Sequence, residues 1–304
     1  MNAIATLDEN VRIRGQIEEA ILEFLEELFN ENISSKKQIK LMTIDLFYEG
    51  KDLFDNQPVF NRSLAAVCKL LGTSRRNLRV VGSSRGFAIG DLCLYDNGVD
   101  ASFVDFSGNS VAILEKLMEY RQVRSSADVI LVVEKDATFQ KMIDENFMAQ
   151  YPQAILVTGR GYPDICTREF LKWLSTKIFV RILALMDADP YGIEIYLTYK
   201  YGSHRGSSEA GQAHLPQIEL IGLLPSEAPQ LPITNSHCLP LLAMDFKRLW
   251  SVLKRLEFLG ETELIQELNV MQNAGYKLEL EAVSSITPNF LCGVYLKRKF
   301  NDLL

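Results

Sequence analysis

Histidine is scarce in this chain of 304 residues. His204, His214 and His237 are the only three, and they are scattered. That spacing argues against a zinc centre or a histidine-based triad. The five cysteines, Cys68, Cys93, Cys166, Cys238 and Cys292, are odd in number and form no Cys-x-x-Cys pair. They read as reduced thiols rather than a disulfide framework. No apolar run reaches the roughly 18 residues that a membrane span needs. Met1–Arg14 lacks the apolar core of a signal peptide, so an intracellular protein is expected. A phosphate-binding Gly-x-x-x-x-Gly-Lys-[Ser/Thr] loop is missing, so any ATP-driven step falls to another chain. Positive charge is also in deficit, with 32 Lys and Arg against 39 Asp and Glu for a net charge of -7. The whole chain is therefore no polycation, although a local basic face suffices to bind a polyanion.

What is present centres on Leu183–Glu194. The apolar run Ile182–Met186 ends abruptly in Asp187 and Asp189, and Pro190 and Gly192 follow before a helix-like pattern. Residues i and i+2 of an extended segment share a side, so these two carboxylates can point together. Hard oxygen ligands of this kind suit magnesium, which takes one or two carboxylates and completes its shell with water and phosphate oxygens.

The same arrangement recurs upstream. Val129–Val133 is apolar and ends in Glu134. Residues 137–150 read as a helix. Ala154–Thr158 is apolar and ends in Gly159-Arg160-Gly161-Tyr162-Pro163-Asp164. Helical patterns follow over 166–175 and 190–199, and again over 244–268. Apolar strands alternating with helices predict an α/β fold with a parallel sheet and C-terminal helices. Functional groups of such sheets collect beyond the C-terminal strand ends, where Glu134, the Gly159–Asp164 loop, Asp187 and Asp189 all lie. Three carboxylates converging without a cation would repel one another, which favours a metal among them.

The N-terminal third has a different character. Residues 11–30 form an amphipathic pattern suited to packing or dimer contact. Residues 58–82 read as helix, tight turn, helix, with Gly72 as a stop and Ser74 as a cap for Arg75-Arg76-Asn77-Leu78-Arg79. From Asn61 to Gly90 there are six basic residues and no acidic one. Two readings stand: a solvated basic face, or a helix-turn-helix whose second helix approaches DNA. Gly86–Asp105 alternates like short strands and reads as the wing of a winged helix. Tyr48, in Asp-Leu-Phe-Tyr-Glu-Gly, reads by itself as half-buried packing. The expected division is an N-terminal helical segment over 1–32, a winged-helix domain over 33–106, a connection over 107–127 and a metal-binding domain over 128–304.

Longer phrases carry a resemblance. Glu134 with Asp187-Ala188-Asp189 is similar to the acidic set of the Toprim fold. Val-Glu-Lys-Asp-Ala-Thr-Phe (133–139), Thr-Gly-Arg-Gly-Tyr-Pro-Asp (158–164), Thr167-Arg168, Asp-Ala-Asp-Pro-Tyr-Gly-Ile-Glu-Ile (187–195), Tyr-Lys-Tyr-Gly-Ser (199–203) and Ser-Arg-Arg-Asn-Leu (74–78) resemble the eukaryotic relatives of the topoisomerase VI A subunit. These are the transesterases that make meiotic double-strand breaks. The resemblance spans residues 33 to about 300. It implies a winged helix followed by a Toprim domain, and a tyrosine nucleophile in a Tyr-Tyr pair before Leu-Phe and Asn-Gln. Leu53-Phe54 and Asn56-Gln57 fix the register, so Tyr48 takes the nucleophile position and Phe47 replaces the first tyrosine. Ile44 stands where the family usually has arginine, and Arg160 where it has lysine.

The resemblance further implies that Arg75 and Arg76 assist catalysis. It implies that Arg75, Arg76, Arg79, Arg85 and Lys200 contact DNA, and that Glu134, Asp187 and Asp189 hold Mg2+. It points to double-stranded DNA as substrate and to the nucleus as location. The expected partners are a second copy or paralogue, accessory break-formation proteins and a topoisomerase VI B-like subunit. Attack of a tyrosine on a DNA phosphorus leaves a 5′-phosphotyrosyl link and a free 3′-hydroxyl. A phenol ionises only near pH ~10, so neighbouring positive charge is needed to help it. The chain can also be read as a topoisomerase VI A subunit proper, or as a non-catalytic DNA-binding scaffold.

Overall fold

The computed structural model describes residues 41–42, 48, 54, 56–71, 78, 80–81, 84–96, 102–203 and 213–303. They fall into two compact units, one ending at Ser83 and the other starting at Ser84.

In the first unit, β1 (Leu41–Met42) pairs in parallel with β2 (Val80–Val81), and α1 spans Gln57–Leu70. Phe54, Phe60, Leu64, Val67, Cys68, Leu78 and Val80 form its core. Phe60, Leu64 and Val67 recur at helical spacing on one face, which is why α1 packs there. Of the second helix expected over 75–81, only Leu78, which is buried, and Val80–Val81 are described, and the last two form the strand β2 because they pair with Leu41–Met42 rather than continue a helix.

The second unit is built on a six-stranded sheet. Its strands are β3 (Phe87–Gly90), β6 (Val111–Ala112), β8 (Val129–Val133), β9 (Ala154–Thr158), β10 (Arg181–Leu185) and β11 (Glu219–Gly222), in the order β11-β10-β8-β9-β3-β6. The four strands β11, β10, β8 and β9 are parallel, whereas β3 runs antiparallel to β9 and β6 antiparallel to β3. The expected parallel sheet is thus a mixed one. β4 (Cys93–Tyr95), β5 (Phe103–Asp105) and β7 (Gln122–Arg124) make a separate three-stranded sheet. Gly86–Asp105, read as a wing, therefore belongs to the second unit, and its first strand extends the main sheet. β3 joins because Phe87–Gly90 registers against Ile155–Thr158, burying Ala88 and Ile89 on opposite faces.

Helices cover both faces, as both faces of the parallel strands are apolar. These are α2 (Asp136–Asp144), α3 (Phe147–Gln150), α4 (Ile165–Lys177), α5 (Pro190–Tyr201), α6 (Ala243–Leu259) and α7 (Thr262–Ala274). The single helix expected over 137–150 is broken at Asn146, which adopts a left-handed φ of 57°, a conformation asparagine tolerates. The helix expected over 244–268 is divided by Gly260 at φ 74°. The C-terminal part adds β12 (Leu239–Pro240), β13 (Tyr276–Lys277), α8 (Leu280–Ser284), a π-helical turn over Leu291–Leu296 and α9 (Lys297–Leu303). The proline-rich stretch after Leu223 folds into 3-10 turns at Pro225–Gln230 and Asn235–His237. All five cysteines are free. No helix among the described residues is long and apolar enough to cross a membrane.

Candidate active site

Two adjacent parallel strands end in acid. β8 delivers Glu134 and β10 delivers Asp187 and Asp189, because the register pairs Val133 with Leu185 at their last residues. All three side chains are buried, at 7%, 1% and 8% exposure. Their hydrogen bonds lock the strand tips together. The Asp187 N–H donates to Glu134 Oε2 at 3.0 Å, and the Leu280 N–H donates to Asp187 Oδ1 at 2.8 Å. Asp189 caps α5, accepting from the Gly192 N–H at 2.6 Å, with Pro190 at the first helical turn. The proline supplies the fixed φ and lacks the N–H that would be orphaned there. Gly192 is required for closeness, since a Cβ on it would sit 2.3 Å from the Asp187 carbonyl oxygen.

Burial sets the electrostatics. Desolvation, then the charge of Asp187, push the Glu134 carboxyl up to about 8. Desolvation raises Asp187 to about 6 even though the Lys135 ammonium pulls the other way. Asp189 is likewise raised by burial, against the opposing pull of the Gly192 N–H. A buried carboxylate is costly unless a cation or donor offsets it. Lys135 Nζ lies 2.9 Å from Asp187 Oδ2. As they stand, no three His, Cys, Asp or Glu side chains among the described residues converge closely enough to hold a metal. The donor chemistry nevertheless fits a hard divalent cation: an all-oxygen set at one sheet end, with ionisation suppressed by burial and mutual repulsion.

The Gly-rich loop after β9 closes onto this tip. The Gly161 N–H donates to the Glu134 carbonyl at 2.8 Å. Arg160 is held at a left-handed φ of 55°, its guanidinium 4.2 Å from the Phe87 ring centroid and 3.0 Å from Asp136. A non-glycine residue in this region stores strain that its surroundings must hold. The Tyr162 hydroxyl donates to Glu194, which also pairs with Arg248 at 3.0 Å. Burial, then Glu194, hold the Tyr162 phenol well above its ordinary range.

Arg85 is exposed beside the same loop, its N–H 2.7 Å from Asp164 Oδ2 and its guanidinium 3.3 Å from the Tyr162 carbonyl. The Lys200 ammonium is engaged by Glu261 at 2.6 Å and flanked by the Tyr196 and Tyr201 rings. Tyr48 is helical and 62% exposed, in the first unit. It is therefore not the half-buried packing residue that its local sequence suggests. Arg75, Arg76 and Arg79 lie outside the described residues, as do Phe47 and Ile44. Reading the sequence missed Lys135, Glu279 and Glu281. Lys135 stood within the Val-Glu-Lys phrase, and its position next to Glu134 was the available signal.

The family model for the Toprim domain of Spo11 and the topoisomerase 6 A subunit matches residues 129–300, from the first residue of β8 into α9. The chain belongs to this Spo11 and topoisomerase 6 A-type family. The meiotic recombination protein spo-11 of Caenorhabditis elegans is 40% identical over 273 residues, covering 90% of this chain and 60% of that one. The human meiotic recombination protein SPO11 is 32% identical over 279 residues, covering 92% and 69%. The A subunit of DNA topoisomerase 6 from Arabidopsis thaliana is 32% identical over 284 residues, covering 93% and 64%. The chain spans roughly three-fifths to two-thirds of the length of these relatives. In this Toprim domain the acidic tips of β8 and β10 are the part of the fold where chemistry-bearing groups are gathered.

Proposed function

We propose that this chain is the DNA-cleaving component of a meiotic break-forming enzyme, acting as a transesterase. The observation that carries the reading is the gathering of Glu134, Asp187 and Asp189 on the adjacent tips of β8 and β10 of the Toprim domain. Similarity to proteins named for meiotic recombination supports it, as does an exposed tyrosine at position 48.

The Tyr48 hydroxyl oxygen attacks a backbone phosphorus. A phosphotyrosyl bond forms to the 5′ end, the bond to the 3′ oxygen breaks, and that oxygen leaves with a proton as a 3′-hydroxyl. No water is consumed and the phosphodiester bond energy is kept in the protein–DNA link. Glu134, Asp187 and Asp189 would hold Mg2+, which supplies charge stabilisation for phosphate oxygens. Arg75 and Arg76 offset the charge that develops on the phosphate, and Arg79 with Arg85 positions the backbone without reading sequence. Lys200, paired with Glu261, is a further backbone contact to DNA in this reading. The N-terminal unit is a winged helix in this reading. Two chains act together, the tyrosine of each serving the carboxylates of its partner, so that two strands are cut. Accessory proteins and a B-like subunit complete the assembly on nuclear chromosomes, and ATP plays no part in this chain's own step.

The test is covalent capture. The chain with its partner proteins is incubated with duplex DNA and Mg2+, denatured, and assayed for DNA held through a 5′ end. Wild type retains DNA and Tyr48→Phe loses it. Retention by the Phe variant moves the nucleophile elsewhere. No retention by wild type, where a Tyr-Tyr relative reacts, favours the scaffold reading. Similarity to an A subunit of DNA topoisomerase 6 supports a second reading in which the link is resealed, and strand passage in the same assay distinguishes it.

A further inference from the structure

Lys135 occupies an unusual position. It follows Glu134 directly, and its ammonium lies 2.9 Å from Asp187 Oδ2, 3.2 Å from Glu279 Oε2 and 3.2 Å from Glu281 Oε2. These three partners differ in depth. The Asp187 side chain is 1% exposed, whereas those of Glu279 and Glu281 are 37% and 46% exposed. The ammonium therefore sits at the boundary between a buried carboxylate and two that face solvent. An ammonium is a compact point charge with three donors on a flexible stem, and three acceptors surround it here.

The segment carrying Glu279 and Glu281 is fixed to the same strand tip. Leu280, between them, donates its N–H to Asp187 Oδ1, and the Leu278 N–H donates to the Ala188 carbonyl at 3.1 Å. Both oxygens of Asp187 are thus engaged, one by a backbone N–H that cannot leave without moving α8 and one by an ammonium that can swing. A divalent cation on Asp187 needs the second oxygen. Two cations on one buried carboxylate would repel strongly where solvent screening is weak. Glu279 and Glu281 already hold the ammonium and can keep it after it releases Asp187.

We propose that Lys135 is the resident counter-cation of the acidic cluster, and that it gives up Asp187 to an incoming divalent cation while staying with Glu279 and Glu281. Lys135 is a positioning residue here, setting which oxygen of Asp187 is presented and at what cost the cation enters. The inference rests on the metal-binding reading above.

The experiment measures Mg2+ and Mn2+ binding by calorimetry, and melting with and without each ion, on the full chain at pH 8.5, where protons compete weakly. The variants are Lys135→Met, Glu279→Gln with Glu281→Gln, all three changes together, and Asp187→Asn. Lys135→Met is expected to melt lower without metal and to bind either ion about tenfold more tightly, the equivalent of one pKa unit of charge interaction. The glutamine pair weakens binding in the wild-type background and has no further effect when Lys135 is already Met, the coupling expected of groups acting through one another. Equal affinities for wild type and Lys135→Met, with Asp187→Asn abolishing binding, overturn the role of Lys135 and leave the metal site standing. Binding by Asp187→Asn equal to wild type removes the metal site itself and the inference with it. Should Lys135→Met not fold, the glutamine pair decides on its exposed residues: unchanged affinity overturns the proposal and weakened affinity supports it.

Discussion

The two ends of one set of strands make opposite use of charge. At the C-terminal ends of β8 and β10, Glu134, Asp187 and Asp189 are nearly removed from solvent and fixed by backbone N–H groups. At the N-terminal ends, Asp128, Tyr151, Arg181, Lys297 and Phe300 line an open cavity of about 760 Å³. There Arg181 pairs with Glu219 at 2.9 Å, with both side chains over 40% exposed. The Lys135–Asp187 and Arg181–Glu219 contacts have the same length but sit at different depths. Buried charge is held only by neighbours that constrain it, whereas exposed charge is held by water and is nearly free of consequence. The first end is therefore held by fixed backbone contacts to buried carboxylates, and the second by solvated ion pairs.

The sharpest way to break the comparison is to loosen the buried end. Gly192→Ala puts a Cβ 2.3 Å from the backbone oxygen of Asp187, and backbone cannot step aside as a side chain can. We expect a loss of about 3 kcal/mol, at the upper end of overpacking costs, in denaturant unfolding of the second unit. A loss below about 1 kcal/mol would mean that the strand tip is not held as tightly as the contacts indicate.

A smaller effect follows from protonation. The native state keeps a proton on Glu134 to about pH 8 and on Asp187 to about pH 6, while unfolded carboxyls release theirs near pH ~4. Between those limits the native state binds more protons, so its stability falls as pH rises. Without divalent cations, the melting temperature of wild type should decline from pH 5 to pH 8. Glu134→Gln should flatten the upper part of that decline, because the carboxyl raised furthest by burial and by Asp187 is gone. Parallel curves for the two proteins would count against a suppressed ionisation of Glu134.

Reading the sequence recovered the acidic end well, because an apolar run that stops at a carboxylate records both the strand and its tip in adjacent residues. Val129–Val133 with Glu134, and Ile182–Met186 with Asp187, carry that record. The rest was hidden by distance. β3 pairs with β9 some 70 residues away, Phe87 against Thr158, and nothing local in Phe-Ala-Ile-Gly distinguishes a sheet edge from a wing. The same holds for Glu279 and Glu281, which reach Lys135 across more than 140 residues. The helix breaks at Asn146 and Gly260 were lost for another reason, since apolar spacing continues through a single left-handed residue. Tyr48 was placed by phrase alone; its neighbours lie outside the described residues.

The smallest expected effect belongs to the solvated end. Arg181→Gln removes a charge from a pair whose members are 43% and 48% exposed. The guanidinium makes contacts to both oxygens of Glu219, a geometry that favours the pair, yet both partners regain water when it is broken. Exposed pairs are worth about 0.2–1 kcal/mol and less in salt. We expect a change near the bottom of that range, about 0.3 kcal/mol, vanishing at high ionic strength, with no shift in metal affinity. A loss as large as that from Gly192→Ala would show that the cavity end bears structural load, and burial depth would no longer account for the difference between the two ends.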